Sequence, residues 1–232
     1  MATTLAEVIS EAMIYIDDVR LQNQLAGNPA LFYRRMSAWI TAAMPLLSSP
    51  PELRQYLEKE YVAPSFDDFE WISDSESMTV ESYDIPTGKI GYELCSVVIR
   101  SEDGTYTTPY TEATYDPETG IVTFPQQTAV GIDYEIDFYT DGSVADLTMT
   151  MKRLFGLAVA IVWDERFSRN WLNITAKIHD SSFSTVNESN YMDKLTDRML
   201  FNRQTFQDEL RKYEQDNAYV NHFRPYPQRK LI

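Results

Sequence analysis

The chain has 232 residues, 44% of them apolar and 13% aromatic, enough to bury a core for one ordinary domain and a second, smaller one. Twenty basic residues against 35 acidic ones give a net charge of −15, and this shortage of Lys and Arg excludes a general nucleic-acid binder. One cysteine, Cys95, and two histidines, His179 and His222, exclude an intramolecular disulfide and a zinc site of thiolates and imidazoles.

The first residues lack the basic segment and long apolar core of an export signal, so an intracellular compartment, or a particle assembled there, is expected. The longest apolar run, Phe155 to Trp163, is nine residues against the roughly 20 a bilayer needs, so no membrane association is expected.

Thr4-Leu5-Ala6-Glu7 is a capping box, and Leu5, Val8, Ile9, Ala12, Ile16 and Val19 follow at the spacing of one helical face. Asn28-Pro29 starts a second helix with Phe32, Met36, Trp39, Ile40 and Ala43 inward. Ser49-Pro50-Pro51-Glu52 opens a third, short one carrying Leu53, Tyr56 and Leu57. The first 62 residues therefore read as three helices. From Val62 to Ser77, Phe66, Phe69 and Trp71 stand among Asp67, Asp68, Glu70 and Asp74, the composition of a connector pinned by its aromatics.

Beyond it the hydrophobic period changes to two. Ile132, Tyr134, Ile136 and Phe138 alternate with Asp133, Glu135 and Asp137, and Val97–Ile99 and Ile121–Phe124 are further strand cores. Pro86-Thr87-Gly88, Asp103-Gly104 and Asp116-Pro117-Glu118-Thr119-Gly120 supply turns. Ser143 with Asp146 then caps a long helix whose inner stripe is Leu147, Met151, Leu154, Ala158, Ile161 and Val162, and residues 155–163 are apolar nearly all round. A weaker helical or irregular stretch covers 171–184. A last helix over about 190–217 carries Met192, Met199, Phe206 and Tyr213 seven residues apart, with Leu195 and Leu210 beside them and Asn202 and Glu209 interrupting. The fold class read from this pattern is α+β: a helical bundle domain formed by both ends of the chain (1–77 and 141–218), an inserted antiparallel β module resembling a sandwich or barrel (78–140), and an extended C-terminal tail (219–232).

Catalytic chemistry finds no recognisable constellation. Twelve acidic residues lie between Glu76 and Asp137 against Lys89 and Arg100, but they fall at turns and on polar strand faces, so a solvated face is expected. Asp133, Glu135 and Asp137 could hold a cation such as calcium but lack the calcium-loop pattern, and Pro86-Thr87-Gly88-Lys89 lacks the upstream glycine and the Ser or Thr of a phosphate loop. There is no nucleophile elbow, dinucleotide fingerprint or His-Glu-x-x-His pair. His179 beside Asp180 reads as a local polar cap, and Cys95 inside a strand-like run as a buried small hydrophobe. The expectation is no enzyme, no catalytic residue, no cofactor and no metal. In the tail, Phe223, Arg224, Tyr226, Arg229 and Lys230 are the candidate partner-interface residues, which either fold back on their own domain or dock on a neighbouring subunit.

The run Tyr115-Asp116-Pro117-Glu118-Thr119-Gly120-Ile121-Val122-Thr123-Phe124, followed by the strand Gly131 to Tyr139, resembles a hairpin module of tailed-bacteriophage virion proteins, with its D-x-x-T-G-x-V-T-F turn and strand. An acidic chain of this size with helices flanking such a module is similar to the head-tail connector proteins of the neck, the adaptor and completion proteins. The resemblance implies a homo-oligomeric ring between portal and tail proteins, present in the virion and in the host cytoplasm during assembly. It implies no catalytic residue. An acidic lumen would let packaged DNA pass without adhering. A tail or baseplate component and a cytoplasmic binding module or carboxylate hydrolase are the alternatives.

Overall fold

Helix α1 (Leu5–Met13) starts where the sequence signals it: the Thr4 hydroxyl accepts from the Glu7 N–H at 3.2 Å, and the Glu7 carboxylate accepts from the Thr4 N–H at 3.3 Å. The computed structural model describes residues 2–16, 18–48, 51–74, 82–101, 107–125, 130–178 and 185–222, and side chains within these except 51–52, 167–193, 195 and 217–222. Leu5, Val8, Ile9, Ala12 and Ile16 are buried as their spacing predicts, but Val19 is 63% exposed. The helix has ended by then, and Val19 begins an unexpected one, α2 (Val19–Gly27), capped by Asp18.

Helix α3 (Pro29–Ala43) has Asn28 as its cap and Pro29 in its first turn. Phe32, Met36, Ile40 and Ala43 are buried, with Trp39 packed at the margin. A 3-10 turn (Met44–Leu47) leads to α4 (Pro51–Glu60), which buries Leu53 and Leu57 and leaves Tyr56 41% exposed. Among the described residues of the first 62 there are four α-helices and a 3-10 turn, where three helices are expected.

The expected connector is instead a strand. β2 (Ser65–Ile72) pairs along its whole length with β8 (Asp133–Thr140), from Ser65 opposite Thr140 to Ile72 opposite Asp133. The β part therefore begins at Ser65, ahead of the expected boundary at 78. Its other strands are β3 (Ser82–Pro86), β4 (Leu94–Arg100), β5 (Thr107–Pro109), β6 (Thr114–Asp116) and β7 (Ile121–Pro125). They form a four-stranded sheet in the order β2-β8-β4-β5 and a three-stranded sheet in the order β3-β7-β6, both antiparallel. No closed barrel forms among the described residues, because both sheets end in edge strands.

Both sheets contribute to one apolar cluster of Ile85, Val97, Val122, Phe124, Tyr134, Ile136 and Phe138. The Trp71 ring stacks on Tyr83 and Tyr134 at 5.5 and 5.3 Å. In the hairpin, residues 117–120 turn between β6 and β7, with Asp116 opposite Ile121. Gly120 stands at φ +69°, and a Cβ there would come within 3.0 Å of the Lys89 backbone nitrogen, so the turn requires glycine twice over. The Asp103-Gly104 turn lies outside the described residues.

Ser143 does not cap the long helix. It belongs to β9 (Ser143–Val144), which pairs with β1 (Thr3–Thr4) and bridges to Val62 through hydrogen bonds of 2.8 and 3.0 Å. The chain consequently enters and leaves the β part at one place. Helix α5 (Met149–Ile178) starts later, after Thr148, whose hydroxyl accepts from the Met151 N–H. It continues helically through most of the stretch read as weak. Leu154, Phe155, Leu157, Ala158, Val159, Ala160 and Ile161 are buried against α1, α3 and the 3-10 turn, so this segment is the centre of the helical core. At Gly156 a Cβ would lie 2.7 Å from Glu11 Cγ and 3.0 Å from Ala12 N, which shows how closely α1 and α5 approach.

Helix α6 (Thr185–His222) packs along α5 with Phe206, Leu210 and Tyr213 inward. The expected extended tail is helical as far as His222. The side chains of Met192 and Leu195 lie outside the described residues, as do His179 and all of 223–232. The helical core cluster draws on residues from Leu5 to Leu57 and from Val144 to Phe206.

Candidate functional site

The polar groups that meet in this fold lie at the seam between helices and sheet. Asn28 accepts from the Leu31 N–H through Oδ1 at 2.9 Å, capping α3, and donates from Nδ2 to Asp137 Oδ2 at 2.7 Å. Beside it the Ser96 hydroxyl accepts from the Ala30 N–H at 3.0 Å. Two free amides at the α3 N-terminus are thus satisfied, one by its own cap and one by β4. Arg34, one turn on, lies 4.0 Å from Asp137 and 3.7 Å from Asp68, with its guanidinium 4.5 Å over the Phe66 ring.

This corrects the expected solvated face. Asp137 is only 2% exposed, because the start of α3 covers the face of β8 on which it stands. Burial raises its carboxyl above the ordinary range, while the bond from Asn28 opposes that shift. Asp133 and Glu135 are engaged differently: both bind Arg100, at 3.4 and 3.1 Å, and Glu70 from β2 binds the same guanidinium at 2.9 Å. The hydrogen bonds that Arg100 donates to Glu70 and then to Glu135 raise its pKa further still. The three strand carboxylates are ion-paired or hydrogen-bonded within the fold. Among the described residues no three His, Cys, Asp or Glu side chains stand where they could share a metal ion.

A cleft of about 250 Å³ opens beside the seam, lined by Gly27, Pro29, Cys95, Ser96, Tyr110 and Tyr115 among others. Its described lining holds no carboxylate, imidazole, lysine or arginine. Burial pushes the Cys95 thiol up to about 12, with the Asp137 charge adding to the effect, so the thiolate that reactivity needs is suppressed. The Pro86-Thr87-Gly88-Lys89 run leaves the end of β3 as irregular chain rather than as a turn, and its polar groups serve the fold: the Thr87 hydroxyl donates to Gly120 O at 2.7 Å and accepts from the Lys89 N–H at 3.2 Å. Lys89 itself binds Asp67 at 2.6 Å.

A second buried polar group sits between the two long helices. Asp164 of α5, fully buried, accepts from Arg198 at 2.6 Å and from Asn202 at 3.1 Å, both on α6. Asn202, which the heptad reading treats as an interruption, is 2% exposed and serves as a register contact. Burial raises Asp164 as well, against the opposing pull of Arg198.

The interface residues expected from sequence, Phe223, Arg224, Tyr226, Arg229 and Lys230, lie outside the described residues. The roles of Asn28, Arg34, Ser96 and Asp164 escape sequence reasoning, since each partner is at least 34 positions away or belongs to another element; the Asn-Pro pair marked only the cap. Among the described residues no helix is long and apolar enough to cross a membrane. No protein-family model, curated protein or solved structure matches the chain.

Proposed function

We propose that this chain is a structural subunit of a tailed-phage neck: a head-tail connector that forms a homo-oligomeric ring between portal and tail proteins, through which packaged DNA passes without specific binding. In this reading the chain is a helical bundle made from both of its ends, carrying a sandwich-like β module as an arm, and it acts in the virion after assembly in the host cytoplasm.

The observation that carries the reading is the hairpin. The Asp116–Gly120 run that resembles the virion module turns between β6 and β7, next to a β8 that centres the larger sheet, in a part of the chain with its own apolar core. Such an arm, tied to the helices at the Val62–Ser143 bridge and the Asn28–Asp137 seam, gives a ring subunit two unlike faces for heterologous closure. The engagement of the strand carboxylates in internal ion pairs and hydrogen bonds supports a scaffold over a hydrolase. Negative-stain imaging of the purified full chain at micromolar concentration tests this. Annular particles with a central channel are expected; filaments, irregular aggregates or single globular particles would overturn it.

A further inference from the structure

A second cleft, of about 370 Å³, opens between α2, α3 and α5 on the helical part, with Leu21, Arg35, Met36, Trp39, Trp163 and Arg166 in its lining. Its floor is apolar, since Leu21 and Met36 are buried. Trp39 and Trp163 meet edge to face at 5.3 Å, and the Arg166 guanidinium lies 4.7 Å over the Trp39 ring. Arg35 stands one turn before Trp39 on α3, exposed at the rim.

These two arginines differ from the rest. Every other arginine with a described side chain forms an ion pair with a carboxylate of this chain. Among the described residues Arg35 and Arg166 have no carboxylate partner, although the chain holds 35 acidic residues. Two guanidinium groups beside a tryptophan-walled cleft are the side chains that dominate interface centres, and they select an acidic surface.

The distribution of charge indicates which surface that is. Residues 65–140 contain sixteen acidic side chains against Lys89 and Arg100, a net of −14, whereas the rest of the chain sums to −1. Each molecule therefore has a strongly acidic β part, while the helical part, residues 1–64 and 141–222, carries a net charge of only −4 and bears a cationic cleft. We infer that the cleft receives the acidic β part of the next copy of the chain. The contact is heterologous, cleft to β module, as ring closure requires, and the inference rests on the proposed ring assembly.

The test uses sedimentation velocity of the full chain at micromolar concentration and moderate salt, comparing wild type with Arg35→Glu/Arg166→Glu. The double Arg54→Glu/Arg211→Glu variant serves as a control with the same change of net charge at exposed sites elsewhere. The cleft variant is expected to weaken self-association at least about tenfold while the control does not, and raised salt should weaken the wild type. Arg35→Gln/Arg166→Gln gives a milder loss and stands in if the reversal variant fails to melt cooperatively. Equal association of wild type and both cleft variants would overturn this inference and leave the ring standing. Equal self-association combined with lost attachment to another particle protein would assign the cleft to that acidic partner instead. A wild type that stays monomeric would remove the ring and this contact together.

Discussion

Asn28 holds two parts of the molecule with one side chain: its carbonyl caps α3, and its amide nitrogen donates to the buried Asp137 carboxylate of β8 at 2.7 Å. Asn28→Ala should cost about 1 kcal/mol for the lost cap and on the order of 2 kcal/mol more for the unpartnered buried acceptor. Asn28→Asp keeps the cap but places two carboxylates together, which cannot both be charged, so its deficit should shrink as the pH falls. Urea melts of the three proteins at pH 5 and pH 8 check this. A deficit for Asn28→Asp that is the same at both values would contradict the contact.

Asp137 supplies a related pH dependence. Its folded-state carboxyl is raised by burial, so its contribution is fully present below the ordinary carboxyl value of 3.8 and is lost as the pH rises through the raised one. Asp137→Asn removes that loss. The stability of this variant relative to wild type should therefore grow as the pH rises from about 4, and parallel pH profiles in thermal or urea melts would contradict the assignment.

The extent to which the sequence foretold the fold follows the range of the interactions. The Thr4 box, the Asn28-Pro29 start and the 155–163 core segment are local signals, and each stands where its pattern put it. β2 was hidden because Asp67 and Asp68 are adjacent and break the alternation; its strand state is fixed by β8, more than sixty residues away. Helix α2 buries only Leu21 of its own residues and so lacks an apolar stripe to read. Asp137 has the same parity as Asp133 and Glu135, and only the docking of α3 separates their surroundings. Arg35 and Trp39 on α3 lie more than 120 positions from Trp163 and Arg166 on α5, and no local pattern joins them.

Asp164 fixes the register of α5 against α6, and its removal separates two physical effects. Asp164→Ala leaves the partly exposed Arg198 and the buried Asn202 amide without their shared acceptor and should cost on the order of 3 kcal/mol. Replacing all three residues by Leu, Met and Leu removes the polar groups together and should recover most of that loss. Denaturant midpoints of the single and triple variants decide it; a triple variant as unstable as the single one would show that the network does more than satisfy itself.

The Val62–Ser143 bridge brings the two ends of the β part together, so the segment between them can be excised with little strain on the helices. Replacing 65–140 by a short Gly-Ser linker should leave helical circular dichroism and a cooperative, if lower, melt, because the helical cluster contains no residue of that segment. Complete unfolding would mean that the seam at Asn28, or the Tyr33–Tyr139 stack at 5.6 Å, is part of one indivisible core.

The tail is tested by ending the chain after His222, where α6 ends. Loss of Phe223, Arg224, Tyr226, Arg229 and Lys230 should leave the melt within about 0.5 kcal/mol of wild type but prevent attachment to the adjoining ring. Each buried aromatic removed from such a contact is worth on the order of 2 kcal/mol. Equal incorporation of full-length and truncated chains into particles would take the tail out of the interface.

Native mass measurement of the full chain across micromolar concentrations addresses the ring most directly. The account predicts one discrete closed oligomer whose subunit number does not increase with concentration, because a heterologous contact that closes leaves no free face. A monomer at every concentration, or an open series of masses growing with concentration, would contradict it.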